Sequence, residues 1–407
     1  MSKPKIRFKN FTDDWEQRKL GEIANFSKGQ GYTKSDLKEN GTPIILYGQL
    51  YTKYRTIIRK IDTYADVIKD AVFSNGGEVI LPSSGETAED IAIAATVEKS
   101  GVLLGGGLNI VIPNVKILSA FLALQITYGT PHYELAKKAQ GKSIVHLYND
   151  DLRSIKISFP TRKEQKIIST FFDNIDSLIT LHQRKCEQAK KFKKFMLQKM
   201  FPENGKNVPG IRLKGFSDAW EQRKLSEIAN KVTEKNKDNI YNEPLTNSAE
   251  LGIISQKDYF DREVVTESNL DNYYVIQNGD FVYNPRVSTS APVGPINCNK
   301  LGRNGIMSPL YTVFRTHSIN TLYLEYYFKT TSWHRFMKLN GDSGARFDRF
   351  TISSTKFMKM PIPYPQIDEQ EKIGTYFKSL DSLITLHQRK CDEYKKLKKF
   401  MLQNMFV

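Results

Sequence analysis

Several short stretches carry residue types that do chemistry in other proteins. Gly141-Lys142-Ser143 has the ending of a phosphate-cradling P-loop, but that motif needs a second glycine at position 136, where Ala136 stands. Tyr283-Asn284-Pro285-Arg286-Val287 approaches the Asn-Pro-Pro-aromatic sequence that holds a flipped adenine for amino methylation. Arg286 and Val287 replace its second proline and its stacking ring. No glycine-rich strand-to-helix turn for S-adenosylmethionine accompanies it. Glu164-Gln165-Lys166, behind Asp150 and Asp151, mimics the acidic–lysine signature of nucleases. The matching triplet Glu369-Gln370-Glu371 lacks the lysine, and the triplet sits at the start of a packing helix. The six histidines are scattered without an HExxH, and nothing forms a serine or cysteine triad. Cys186, Cys298 and Cys391 make no CxxC pair and no metal spacing. The expectation is a chain with no catalytic residues and no metal site.

What remains is the chemistry of binding. The chain has 60 Lys and Arg against 44 Asp and Glu, a net charge of +16. That balance favours an anionic partner, most simply nucleic acid, although a lysine-rich host proteome gives the same total. Arg, Lys, Gln and Asn read base edges, while Ser, Thr and backbone amides fix phosphates. Such residues interleave with aromatics in two regions. The first holds Lys28, Gln30, Tyr32, Tyr47, Gln49, Tyr51, Lys53, Tyr54, Arg55, Ser84, Glu86, Thr87, Lys142 and Ser143. The second holds Asn247, Ser248, Gln256, Lys257, Tyr283, Asn284, Arg286, Ser288, Thr289, Ser290, Arg303, Asn304, Arg346 and Arg349. These are the candidate DNA contacts.

The elements that must position them come from a duplication. "DSLITLHQRKC" runs from Asp176 to Cys186 and again from Asp381 to Cys391, an offset of 205. "FTDDWEQRKLGEIAN" at 11–25 matches "FSDAWEQRKLSEIAN" at 216–230, and 163–201 matches 368–406. Between these constant parts the text diverges. The constant ends do one job twice, and the variable middles do two different jobs in one scaffold.

Residues 163–201 show a seven-residue period. Ile168, Ile175 and His182 share one position, Phe171 and Leu178 the next apolar one, and Ile179 and Cys186 the third. The second copy places Ile373, Leu380, His387, Leu383 and Ile384 alike. An apolar stripe on a helix free of internal proline predicts a rod of roughly 58 Å. Its natural partner is the other copy, packed antiparallel as a coiled coil. His182 and His387 are then expected to face each other as core histidines in preference to a metal pair. The basic last turns, "KKFKKFMLQK" and "KKLKKFMLQN", complement a helix C-terminus and suit either phosphate or an acidic protein.

The variable parts alternate short β-like runs with turn signals. Helical stretches follow at 119–139 and 320–339. The fold class expected is α+β: two pseudo-symmetric α/β domains, 1–160 and 203–365, separated by two long antiparallel coiled-coil helices, 161–202 and 366–407. A 40% hydrophobic, 26% charged composition supports globular domains. No apolar run approaches a membrane span, and no signal-peptide core opens the chain. With sparse cysteines, a cytoplasmic home is expected.

This alternation resembles, over essentially the whole chain, the specificity (S) subunit of Type I restriction–modification enzymes. The most specific features are "WEQRKL" at 15–20 and 220–225, "PTRKEQKIISTFFDNIDSLI" at 160–179 with its twin at 365–384, and "LHQRK" at 181–185 and 386–390. "GETAEDIAIA" at 85–94 and "GKSIVHLYNDDLRSIKISFP" at 141–160 are also family-like. The resemblance implies that each variable domain is a target-recognition domain reading one half of a bipartite, asymmetric site in double-stranded DNA. It implies that the helices act as a ruler. It further implies two methyltransferase (M) subunits that methylate adenine N6, and two restriction/motor (R) subunits. S-adenosylmethionine, ATP and magnesium would belong to those partners. A basic two-lobed scaffold that binds protein is the alternative.

Overall fold

The computed structural model describes residues 3–53, 55–141, 144–203, 206–260, 267–343 and 348–406. It divides into two compact units: residues 1–184 with 387–407, and residues 185–386.

The main sheet of unit 1 has five strands in the spatial order Ala24–Lys28, Leu108–Pro113, Glu78–Pro82, Ala95–Val97 and Ile57–Ile58. All neighbours are antiparallel except the last pair. The Glu78–Pro82 strand is buried at every position, as an apolar run covered on both faces should be. Its side chains alternate accordingly. Val79 and Leu81 join the core under the helices, and Ile80 joins a second cluster with Leu104, Leu108 and Ile110.

Unit 2 uses two four-stranded sheets. One has the order Ala229–Lys231, Thr312–Thr316, Phe281–Tyr283, Ile296–Cys298, and the other Gly252–Ser255, Pro244–Ser248, Gly305–Met307, Tyr274–Ile276. Alternation again divides the strands: Phe281, Tyr283 and Phe314 face the larger core, Val282 and Val313 the smaller one.

Two expected helices are broken. The stretch 119–139 forms Ser119–Tyr128 and Thr130–Lys138, because Gly129 is extended and Pro131 opens the second helix. The stretch 320–339 forms Thr321–Phe328 and His334–Asn340. Between them the buried Trp333 turns its indole Nε1 back to donate to the Phe328 carbonyl at 3.2 Å.

The long helices run Arg162–Lys199 and Ile367–Met405. Gly374 does not interrupt the second. A Cβ there would lie 3.2 Å from Leu322 and from the Tyr323 nitrogen, so the glycine admits a neighbouring helix. The pairing is antiparallel in each unit. In unit 1, His182 Nδ1 meets His387 Nδ1 at 3.0 Å and Asp176 accepts from Lys398 at 2.6 Å. In unit 2, Cys186 lies 3.8 Å from the Ile384 carbonyl, and Lys193 donates to Asp381 at 2.5 Å. The two Lys–Asp bonds are the same bond written twice, 205 residues apart on each strand of the pair.

The apolar stripe serves two surfaces, which the seven-residue reading did not separate. Ile168 packs in the core of unit 1, and Phe171 lies against that core and edge-on to Phe8 at 5.6 Å. Ile373 is in the core of unit 2, with Leu380 packed against it. Ile175 is buried, and Leu178, Ile179, His182, Ile384 and His387 are partly buried. Leu383 was expected in the helix interface but is 42% exposed. The far ends also enter the domains: Leu402, Met405 and Phe406 join the core of unit 1, and Met196, Met200 and Phe201 that of unit 2.

Repeated clamps fix each helix start. Glu164 is fully buried and takes a two-pronged bond from Arg7 at 2.7 and 2.8 Å. Glu369 takes the same bond from Arg212 at 2.7 and 2.8 Å. Gln165 Nε2 donates to the Pro160 carbonyl and Gln370 Nε2 to that of Pro365, both at 2.8 Å. The Glu-Gln pairs that mimic a nuclease signature are therefore occupied by structural bonds. Removing one partner of a buried ion pair strands the other charge. Arg7→Met is expected to lower the stability of unit 1 by about 3–5 kcal/mol, read as loss of hydrogen-exchange protection across that unit alone.

Candidate nucleic-acid interface

The candidate residues of unit 1 fall into framework and surface. Tyr32 is buried, with its hydroxyl donating to the Asp66 carbonyl at 3.0 Å and accepting from the Ile68 nitrogen at 3.1 Å. Gln49 braces a turn through Thr63 Oγ1 at 2.6 Å and the Leu46 nitrogen at 3.3 Å. Thr87 caps the short helix Ala88–Ile91 by accepting from the Asp90 nitrogen. Tyr51 is half-buried and donates to the Ser84 carbonyl at 3.1 Å; burial, with the Asp90 charge, pushes its phenol up to about 12. Lys53 is spent on Asp62 at 2.7 Å.

Lys28, Gln30, Tyr47, Arg55 and Glu86 are exposed. Arg55 borders a cavity of about 560 Å³ with Lys53, Arg59, Lys60, Asp62 and Gln183. Arg59 is held by Asp173 at 2.6 Å and by Glu98 at 3.0 Å, so it ties the sheet to the long helix. Ser84 lies on the strand Ser84–Gly85, which pairs with Val145–His146. Beside it, His146 stacks on Tyr148 at 6.3 Å and 20°, and the Lys28 ammonium sits 5.5 Å over the Tyr148 ring. Residues 28, 84, 146 and 148 thus form one surface cluster. Sequence reasoning named only Lys28 and Ser84 from it. "SIVHLYND" carries the signal for the others, an aromatic and a histidine flanking one apolar position.

In unit 2 a buried amide network underlies the surface. Asn247 Nδ2 donates to the Val282 carbonyl at 2.7 Å, Asn284 Nδ2 to the Asn247 carbonyl at 2.7 Å, and Asn297 Nδ2 to Asn247 Oδ1 at 2.6 Å. Asn284 Oδ1 accepts from the Arg286 nitrogen at 2.9 Å. Tyr283 is buried, donates to the Val293 carbonyl at 3.0 Å, and has its phenol pushed far up by burial. Asn247, Asn284 and Tyr283 therefore shape the site from below; their short polar or aromatic character alone gave no sign of depth. Gln256 donates to the Leu245 carbonyl at 3.3 Å, and Arg303 grips Glu243 at 2.7 Å through two nitrogens. Asn304 donates to the Tyr241 hydroxyl at 3.2 Å.

Above the network opens a cavity of about 380 Å³ lined by Asn247, Ser248, Asn284, Arg286, Ser288, Ser290, Tyr259 and Phe260 among others. Arg286 and Arg349 face each other across an isolated antiparallel bridge, both exposed. Lys257 and Thr289 are exposed as well. Tyr54, Lys142, Ser143 and Arg346 lie outside the described residues. Among the described residues no helix is long and apolar enough to cross a membrane.

The sequence matches a family described as the Type I restriction modification DNA specificity domain twice, over 12–191 and 217–396. It is 24% identical, over 95% of its length and 91% of the relative's, to a putative type I restriction enzyme MjaX specificity subunit of Methanocaldococcus jannaschii. The MjaVIII specificity subunit of the same organism gives the same identity and coverage. In fold, the chain is similar to the S subunit of a Type-I restriction-modification system from M. genitalium, with a TM-score of 0.60 at 14% identity, covering 100% of this chain and 99% of that one. The HsdS subunit from Thermoanaerobacter tengcongensis gives a TM-score of 0.50 at 17% identity, covering 97% of this chain and 96% of that one.

Proposed function

The chain belongs to the Type I restriction–modification DNA specificity family, and from that premise we propose that each unit reads one half of a split DNA site while the paired helices set the spacing. The observation that carries this reading is the family's domain occurring twice, on a repeated framework with unrepeated polar loops. A repeated framework offers the same face to two copies of one partner. Unlike loops read unlike bases, so the site is asymmetric. A helix of roughly 57 Å is long enough to serve half-sites one DNA turn, roughly 34 Å, apart.

In this reading two methyltransferase subunits dock on the constant parts and methylate adenine N6, one per half-site. Two motor–nuclease subunits add ATP-dependent restriction. S-adenosylmethionine, ATP and magnesium serve those partners, and this chain is non-catalytic and works in the cytoplasm. Equilibrium binding of the assembled methyltransferase complex to its duplex, titrated with salt, tests the DNA reading. Affinity is expected to fall by about three orders of magnitude or more between roughly 50 and 200 mM salt. A salt-insensitive complex that ignores DNA would favour the protein-binding scaffold.

A further inference from the structure

The two units share one detail that the 205-residue repeat hides, because it falls in the divergent text. In unit 1 the Leu147 nitrogen donates to the Ser83 carbonyl at 3.0 Å, and Ser84 opposes His146. In unit 2 the Phe350 nitrogen donates to the Pro285 carbonyl at 2.7 Å, and Arg286 opposes Arg349. In both, the first strand of the bridge continues from a buried strand of the main sheet, Glu78–Pro82 or Phe281–Tyr283. In both, the second leads into a short helix and then the strand that pairs with the repeated Glu-Gln-Arg-Lys segment. The bridge is thus the same place in two domains, filled by different chemistry.

Residues directly opposed across an antiparallel bridge put their side chains on one face. Two arginines so placed repel each other. Within unit 2, Arg212, Arg223, Arg303 and Arg315 each hold a carboxylate. Arg286 and Arg349 hold none among the described residues. The amide network fixes the backbone at Arg286 from beneath. Two exposed guanidinium forks on one face, with no carboxylate partner among the described residues, suit a ligand rich in acceptors. In the DNA major groove that is guanine, whose O6 and N7 accept both prongs of one arginine.

We propose that this bridge is where each domain chooses a base, through Ser84 and His146 in the first and Arg286 and Arg349 in the second, and that the arginine pair selects guanine. The proposal rests on the DNA-reading function above. Its test is selection of duplexes by the assembled methyltransferase complex from a library randomised over both half-sites. Wild type is compared with R286S/R349H, R286K/R349K and S84A/H146A. Both arginine-pair variants are expected to lose a guanine preference by about 10- to 100-fold at one or two positions of one half-site. The other half-site stays unchanged, and the lysine variant keeps its affinity for non-specific duplex, which follows charge, while it loses the planar fork. S84A/H146A is expected to alter only the other half-site. Guanine selection that survives in both arginine variants overturns the proposal. So does a loss spread evenly over all sequences, which marks phosphate contacts, or a loss of all binding in the lysine variant. A wild-type complex that selects no sequence is a different failure, that of the DNA-reading function itself.

Discussion

A chain in which residues 231–360 are replaced by residues 26–155 is expected to direct methylation to a site with two identical, inverted halves. Both junctions fall in the repeated framework: Ala229–Lys231 corresponds to the Ala24–Lys28 strand, and Lys224 pairs with Pro361 as Lys19 pairs with Lys156. The helix starts that receive the transplant carry the same clamps, Arg212 on Glu369 and the Gln370 bracket. Two contacts do not transfer: the Arg162 bond to the Val115 carbonyl, since Ile367 stands at that position in the second repeat, and an ion pair. Arg59 relies on Asp173, and the second repeat has Lys378 at that position. Lys378→Asp restores the pair and belongs in the swapped chain. Genome-wide mapping of N6-methyladenine checks the outcome. An unchanged second half-site would mean that bases are read outside 231–360.

Phe201→Ala is expected to unfold unit 2 selectively, with a cost of about 3–5 kcal/mol. Phe201 follows the first long helix and is fully buried. Its ring lies 5.5 Å from Tyr323, 5.9 Å from Tyr327, 6.0 Å from Phe377 and 6.5 Å from Trp220. Removing it opens a cavity among rings whose own packing is fixed by bonds such as Tyr323 to the Pro363 carbonyl at 2.8 Å and Trp220 to Glu369 at 3.1 Å. Its counterpart Phe406 plays the same part in unit 1, 5.9 Å from Phe121 and 5.7 Å from Phe172. Hydrogen exchange should show lost protection in 185–386 with unit 1 unaffected. Equal loss in both units would show that the helix ends act on the whole chain.

The duplication, the long helices and the His182–His387 contact were legible because exact repetition and a seven-residue period are strong signals. The role of the helix ends was not. In "KKFKKFMLQKMF" the lysines dominate the text, yet Met196, Met200 and Phe201 do the packing. Likewise the "WEQRKL" segments read only as repeated constants, whereas Glu16–Lys19 is a strand whose partner lies at Lys156–Phe159, far along the chain. Depth was the main failing at the candidate interface. Asn247 and Arg286 look equally polar in sequence, but one lies beneath the surface, bonded on both amide atoms, and the other is exposed. Only a non-local bridge picks out His146, and only that bridge pairs Arg349 with Arg286.

If one chain carries two independent readers of a split DNA site, the methylation it directs must be split as well. Co-expression of the unaltered chain with a Type I methyltransferase subunit, in a host without DNA methylation, tests it most directly by single-base mapping of N6-methyladenine. One split motif with two unlike halves and a fixed spacer is expected. A continuous motif, a palindrome, or an unmethylated genome despite a soluble complex of the two proteins would contradict it.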